Sequence, residues 1–180
     1  MGFNIIVAIC KNNGIGFKGN IPWHIKADLN YFSTLTKGNG KNALIMGANT
    51  WNSLPQGEMG LKGRDNFVLS KYKQCFDKYV NQERVIKTFT SIDEVERFIN
   101  NQPINYDDIW VIGGAQIYKK FLDEKKINKC YITYIDKEFE CDTFFPALDM
   151  SQWTELERRS EYDSKYDCKV DYIVYGLYHL

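Results

Sequence analysis

Asp28 is the residue in this sequence best suited to chemistry. Its neighbours are Ile21, Pro22, Trp23, Ile25, Ala27, Leu29 and Phe32, which set one carboxylate in apolar company. On a helix, positions 28 and 32 share a face. An acid beside an aromatic ring suits a flat heterocycle: the ring packs on Phe32 while adjacent N–H groups donate to Asp28. For a lone acid on a helix the default is a solvated surface charge. The apolar neighbours favour a functional acid, because a carboxylate in such surroundings shifts its pKa unless it is paired.

Two glycine turns offer a second kind of chemistry. Ile109-Trp-Val-Ile112 runs into Gly113-Gly114 and then a helix from Ala115. Strand, glycines and helix N-terminus make an anion site, with free N–H groups and a favourable dipole. Leu44-Ile-Met46 runs into Gly47-Ala-Asn-Thr50-Trp51 with the same logic. Either turn alone is a weak signal, since glycine is common at tight turns. At the ends of two buried strands they are expected side by side at the carboxyl edge of one sheet, where open α/β sheets bind ligands. Two anion sites and one acid-and-aromatic site point to a dinucleotide meeting a flat substrate.

A third glycine segment is a false lead. Gly14-Ile-Gly16-Phe-Lys-Gly19 matches the dinucleotide fingerprint G-x-G-x-x-G after a strand. That fingerprint needs a helix opening at its third glycine, and Asn20-Ile21-Pro22 stands there instead. The segment reads as a mobile, glycine-rich loop that covers an apolar pocket with Ile15, Phe17, Ile21 and Trp23.

The elements that must position these groups are legible from periodicity. Phe3 to Cys10, Ala43 to Met46, Phe67 to Leu69, Ile109 to Ile112 and Tyr131 to Ile135 read as strands, several of them continuously apolar as in a parallel sheet covered on both faces. Ile25 to Leu35 reads as a helix with Ile25, Leu29 and Phe32 on one stripe. Ser91-Ile-Asp-Glu94 is a capping box before Val95, Phe98 and Ile99, and Ala115 to Leu122 is a further helix. Trp153 to Arg159 and Val170 to Tyr178 read as an antiparallel hairpin. The expected fold class is α/β: a three-layer α/β/α domain over residues 1–180, with a mixed, mainly parallel sheet of about eight strands ending in that hairpin.

Composition narrows the function classes. The chain has 180 residues, 44% hydrophobic and 26% charged, with 23 basic and 23 acidic side chains, so one globular domain with a real core is expected. The balanced charge argues against a nucleic-acid partner, and Lys37, Lys41, Lys62, Arg64, Lys71 and Lys73 read mostly as a solvated surface. No run of 18 apolar residues is present, so no membrane partner is expected. The N-terminus has no basic segment or small-residue cleavage site, and Ile6 stands where myristoylation needs Ser or Thr, so a cytoplasmic location is expected. Cys10, Cys75, Cys130, Cys141 and Cys168 are odd in number and contain no Cys-x-x-Cys, which argues against a disulfide framework and a structural metal. Cys10 and Cys130 lie in strand-like runs and read as buried, inert thiols.

Taken in order, the motifs resemble the dihydrofolate reductase family. They are Ile6-Val-Ala8, Gly14-Ile-Gly16, Ile21-Pro-Trp23, Ala27-Asp-Leu-x-x-Phe32, Met46-Gly-x-x-Thr-Trp51, Gly63-Arg64, Val111-Ile-Gly-Gly114, Tyr118 and Asp142-Thr-Phe-Phe-Pro146. The resemblance spans nearly the whole chain, and order and spacing carry it. It implies reduction of dihydrofolate by hydride from NADPH, with antifolate inhibitors as further small-molecule partners and a monomer as the family default. It implies that Asp28 binds the pteridine and promotes protonation of N5 through a water that Trp23 helps to hold, with Thr133 bonding near Asp28. It places Ile6, Phe32, Leu54 and Ile112 around the pocket and gives Arg64 the α-carboxylate of the glutamate tail. For the cofactor it implies backbone contacts from Val7, Ala8, Ile15 and Gly16 to the nicotinamide amide, and Tyr118 nearby. The resemblance also implies that Gly47, Thr50, Gly114, Ala115, Gln116 and Ile117 carry the phosphates, and that Gly113, also at the cofactor, is joined to Gly114 by a cis peptide.

One position departs from the pattern. The family usually has Arg or Lys directly after the glycine that matches Gly47, where it normally meets the adenosine 2′-phosphate; here the residue is Ala48. Lys71, after Leu69-Ser70, matches a second basic position, so NADPH remains the expected cofactor. Two rival readings are a reductase of the same fold acting on a riboflavin precursor and a nucleotide-binding domain without catalysis. Asp28, Phe32 and Arg64 argue against the first; Asp28, Trp23, Thr133 and Tyr118 argue against the second. Because the chain stops after the final hairpin, no thymidylate synthase domain is expected within it.

Overall fold

The run Phe3-Asn-Ile-Ile-Val-Ala-Ile-Cys10 has the composition of a strand covered on both faces, and it is the centre of the sheet. The computed structural model describes residues 2–72, 78–80, 84–103 and 105–178; Lys73 and Cys75 lie outside them. In chain order the elements are β1 (Phe3–Cys10), β2 (Gly14–Gly16), α1 (Lys26–Lys37), β3 (Ala43–Gly47), α2 (Ala48–Ser53), a 3₁₀ turn (Gly57–Met59), β4 (Asp65–Leu69), β5 (Lys78–Val80), β6 (Arg84–Phe89), α3 (Ile92–Asn100), β7 (Ile109–Val111), α4 (Ala115–Asp123), β8 (Ile127–Ile135), β9 (Thr143–Phe144), β10 (Trp153–Asp163) and β11 (Cys168–Leu177).

The main sheet has nine strands in the order β10-β11-β8-β1-β7-β3-β4-β6-β5. The six from β8 to β6 are parallel, and β11 and β5 run against their neighbours. The chain moves outward from β1 through β3, β4 and β6, then returns to insert β7 between β1 and β3. That return sets β1, β7 and β3 side by side with their carboxyl ends on one edge.

Alternation along β1 builds the two faces. Phe3, Ile5, Val7 and Ile9 point into a core with Ile92, Val95 and Ile99 of α3 and Tyr118 and Phe121 of α4. Ile6 points the other way, into a cluster with Leu44, Met46, Trp51, Val68 and Trp110, against which Phe32 and Leu35 of α1 pack. This is the expected three-layer arrangement with its C-terminal hairpin. α3 starts at the expected cap: Ser91 Oγ accepts from the Glu94 N–H at 3.2 Å. Glu94 accepts in turn from Thr90, one residue before the cap.

Several local expectations need correction. Leu29 is 45% exposed and lies off the buried stripe; the inward face of α1 carries Asp28, Tyr31, Phe32, Leu35 and Thr36, one step around the helix. The hairpin strands run on through Asp163 and begin again at Cys168, because the polar residues after Arg159 lie on an exposed edge strand rather than in a loop. β6 escaped the sequence pattern because Arg84 and Lys87 interrupt its apolar residues. The glycine segment expected as a mobile loop is pinned: β2 pairs with β9, the Lys18 N–H donates to Asp142 Oδ2 at 2.9 Å, and the Asp142 N–H donates to Gly16 at 2.9 Å. Its partner is more than a hundred residues away, out of reach of any local pattern.

Candidate active site

Asp28 enters from the first turn of α1 with its side chain half-buried against the sheet. Thr133 of β8, itself buried, donates from Oγ1 to Asp28 Oδ1 at 2.7 Å. Ala8 pairs with Thr133 across the sheet, so β1 and β8 fix where that hydroxyl stands. Burial pushes the Asp28 carboxyl above its ordinary range, and the Thr133 hydrogen bond pulls it partly back. Trp23 is buried on Phe139, with ring centroids 5.2 Å apart. Ile6, Phe32, Leu54 and Ile112 meet in one apolar cluster on the Asp28 side of the sheet. Tyr118 is buried in α4 and its hydroxyl donates to the Ile6 carbonyl at 2.9 Å, tying the helix beyond the double glycine to the strand beside the acid.

The far end of the same helix face holds a cation. Asp28, Phe32 and Thr36 lie one turn apart, so the face runs about 12 Å at 1.5 Å per residue. At its end Arg64 is 7% exposed; Nη1 donates to Thr36 Oγ1 at 2.8 Å, while Nε and Nη2 donate to the Lys62 carbonyl at 3.0 and 2.7 Å. These bonds use one N–H on each terminal nitrogen and leave one on each, a fork with the spacing of a carboxylate. Sequence reasoning named Arg64 and missed Thr36, whose signal was its helical spacing from Asp28 and Phe32. It also missed Tyr31 and Tyr172, whose rings pack 4.7 Å apart beside Asp28.

The two glycine turns stand together. The Gly47 N–H donates to the Gly113 carbonyl at 2.9 Å, and β3 pairs with β7 in parallel register. Gly113 and Gly114 are joined by a cis peptide, with Gly113 at φ +122°. A Cβ on Gly114 would meet only Thr50 Oγ1, at 3.9 Å, so the space before α4 is open. Ala115, Gln116 and Ile117 form the first turn of α4, and no side chain caps α4 or α2 among the described residues. Two uncapped helix starts on one edge suit a diphosphate, so the residues present fit a dinucleotide. Gly47 pairs with Leu69 of β4, which sets Ala48 beside Ser70 and the exposed Lys71. Val7 and Ala8 lie in β1 next to β8, and Ile15 and Gly16 in the pinned strap. Among the described residues no group of His, Cys, Asp and Glu is placed to hold a metal ion.

An acid in an apolar wall, a buried arginine at the far end of the same helix face and two uncapped helix starts on one sheet edge fit a dinucleotide-dependent enzyme acting on a flat heterocycle. The dihydrofolate reductase family model matches residues 2–176. The chain is 38% identical over 156 residues to the dihydrofolate reductase of Drosophila melanogaster, covering 81% of this chain and 80% of that protein. It is 36% identical over 154 residues to that of Heliothis virescens, covering 83% and 82%, and 35% identical over 152 residues to that of Aedes albopictus, covering 81% and 80%. The chain belongs to the dihydrofolate reductase family. It reduces 7,8-dihydrofolate to 5,6,7,8-tetrahydrofolate with NADPH, a reaction of one-carbon metabolism, and its other small-molecule partners are inhibitors of that reaction. The riboflavin-precursor and non-catalytic readings are set aside.

Proposed function

We propose that Asp28 is the acid that directs protonation to N5 of the pteridine. The reading rests on the 2.7 Å bond from Thr133 to Asp28 beside the wall of Ile6, Phe32, Leu54 and Ile112. Thr133 occupies Oδ1 and leaves Oδ2 for the adjacent N–H groups of the heterocycle. Phe32 packs on the ring, and Trp23 orders a water that carries the proton from solvent. Arg64 grips the α-carboxylate of the glutamate tail at the other end of α1. NADPH, when bound, supplies the hydride. Val7, Ala8, Ile15 and Gly16 hold its amide end by their backbones, Tyr118 lies beside them, and Gly47, Thr50 and Gly113 to Ile117 receive the phosphates. Turnover followed by loss of NADPH absorbance with dihydrofolate, against a matched NADH reaction, tests the whole assignment; no loss with either cofactor in folded protein overturns it.

The 2′-phosphate falls to Ser70 and Lys71, since Ala48 has no charge to offer. Lys71→Ala should raise KM for NADPH about 10–100-fold, the value of one charged hydrogen bond of about 1.5–3 kcal/mol, and leave KM for NADH unchanged. Ala48→Lys should shift the ratio the other way. Equal effects of Lys71→Ala on both cofactors would return that lysine to the solvated surface.

Gly113→Ala is expected to weaken NADPH binding and lower Tm together. The φ of +122° is a conformation that L side chains rarely adopt, and the added Cβ stands 3.2 Å from the Tyr118 hydroxyl. Backbone strain of this kind costs about 1–3 kcal/mol, read by titration of the cofactor and by a thermal melt. An unchanged affinity would remove Gly113 from the phosphate cradle.

Residues 1–180 act as one domain and one monomer in the cytoplasm in this reading. Among the described residues no helix is long and apolar enough to cross a membrane. A single species of about 21 kDa on sedimentation is the expected result, and a dimer would correct it.

A further inference from the structure

Two cysteines that the reaction does not use stand together. Cys10 closes β1 and is fully buried; Cys141 precedes β9 and is partly exposed. They are 131 positions apart in the chain, yet their sulfurs are 3.8 Å apart. The Cys10 thiol also lies 3.0 Å from Asn12 Oδ1. Gly14 makes the approach possible: a Cβ there would stand 2.3 Å from Cys141 Sγ and 2.9 Å from Cys10 Sγ, so any side chain would drive the sulfurs apart. To bond, they must close to about 2.05 Å by rotation of their side chains.

We propose that Cys10 and Cys141 are an oxidisable dithiol, a modification site at which a peroxide closes an internal disulfide and adds a covalent tie beside the strap that β9 and Asp142 already hold. Cys141, the more accessible, reacts first. Its thiolate attacks one peroxide oxygen, the O–O bond breaks, and one water leaves after protonation, giving a sulfenic acid. The Cys10 sulfur then attacks that of Cys141; the S–O bond breaks, the S–S bond forms, and a second water leaves. The two thiols give up two electrons and two protons, and the peroxide is reduced to two waters. Thiol reductants reverse the bond by exchange.

The surroundings set the pace. Burial and then the neighbouring Cys10 push the Cys141 thiol up to about 11; the Gly16 amide lowers it and the Asp142 carboxylate raises it. The thiolate is scarce at neutral pH, so the pair stays reduced under brief exposure and answers sustained oxidant, faster as pH rises. The bond ties the end of β1 to the segment that pairs with Gly14 and Gly16. Ile15 and Gly16 border the nicotinamide in the reading above, and the functional consequence rests on it: the oxidised enzyme exchanges cofactor more slowly.

The test is hydrogen peroxide treatment of the full chain at mildly alkaline pH, followed by non-reducing peptide mapping. The expected product is a cross-linked peptide joining Cys10 to Cys141, lighter by two hydrogen atoms and reversed by dithiothreitol. Cofactor dissociation measured by stopped flow should slow several-fold in the oxidised wild type and not in Cys141→Ser treated alike. Gly14→Ala, with its sulfurs displaced, should give no cross-link. Sulfinic acids without the cross-link, or a bond to Cys75 in its place, would overturn the dithiol. A cross-link with unchanged cofactor exchange would overturn the coupling to the strap. Turnover of the reduced protein with NADPH judges the catalytic reading separately.

Discussion

Replacing Asp28 by Asn is expected to lower kcat/KM for dihydrofolate by about 10²–10⁴-fold, the usual worth of a positioned acid–base group. Asn keeps the size of the side chain and can still accept the Thr133 bond at Oδ1, so the wall of Ile6, Phe32, Leu54 and Ile112 stays intact. What it removes is the charge and the titration. With wild type, the rate should fall as pH rises through the raised pKa of Asp28, because the proton needed at N5 becomes scarce. In the variant that inflection should vanish while NADPH affinity is unchanged. Turnover within a factor of a few of wild type would move the acid elsewhere.

The same substitution has an opposite effect on stability, and the sign follows from linkage. Burial raises the folded pKa of Asp28 above the ordinary value of 3.8. Between 3.8 and that raised value the folded chain holds more protons than the unfolded one, so stability falls as pH rises across the window. Above the raised value the whole penalty of a buried carboxylate is present. Asp28→Asn should therefore melt higher than wild type at pH 7, and the gap should close below the ordinary carboxylate range. A variant that loses activity and gains stability marks a group kept for function rather than for folding.

Arg64→Leu is the second large effect. It should raise KM for dihydrofolate on the order of 10²-fold, within the roughly 2–5 kcal/mol expected when one partner of a buried charge pair is removed. A pterin lacking the glutamate tail should bind wild type and variant alike, which separates loss of tail recognition from general damage. Two of the three bonds that hold the guanidinium go to one backbone carbonyl, that of Lys62, and the third to Thr36, so the guanidinium is held in one orientation by the protein itself. Equal loss of both ligands would make Arg64 a structural brace between α1 and the turn before β4.

Much of this protein is written locally. The apolar run of β1, the capping box at Ser91 and the two strand-glycine-helix turns need only near neighbours, and each lies where its pattern indicates. Asp28 with Phe32 was legible because helical spacing puts both on one face. Tertiary structure decided the rest. Leu29 left the buried stripe because the sheet, not the helix, chose which face to cover. The strap was fixed by Asp142 and β9, and Arg64 was aimed by Thr36. Cys10 met Cys141 across 131 positions through a gap that only Gly14 leaves. Periodicity and capping act over a few residues and survive in the linear text, whereas β pairing and side-chain contact across the fold depend on strand order, which no local pattern encodes.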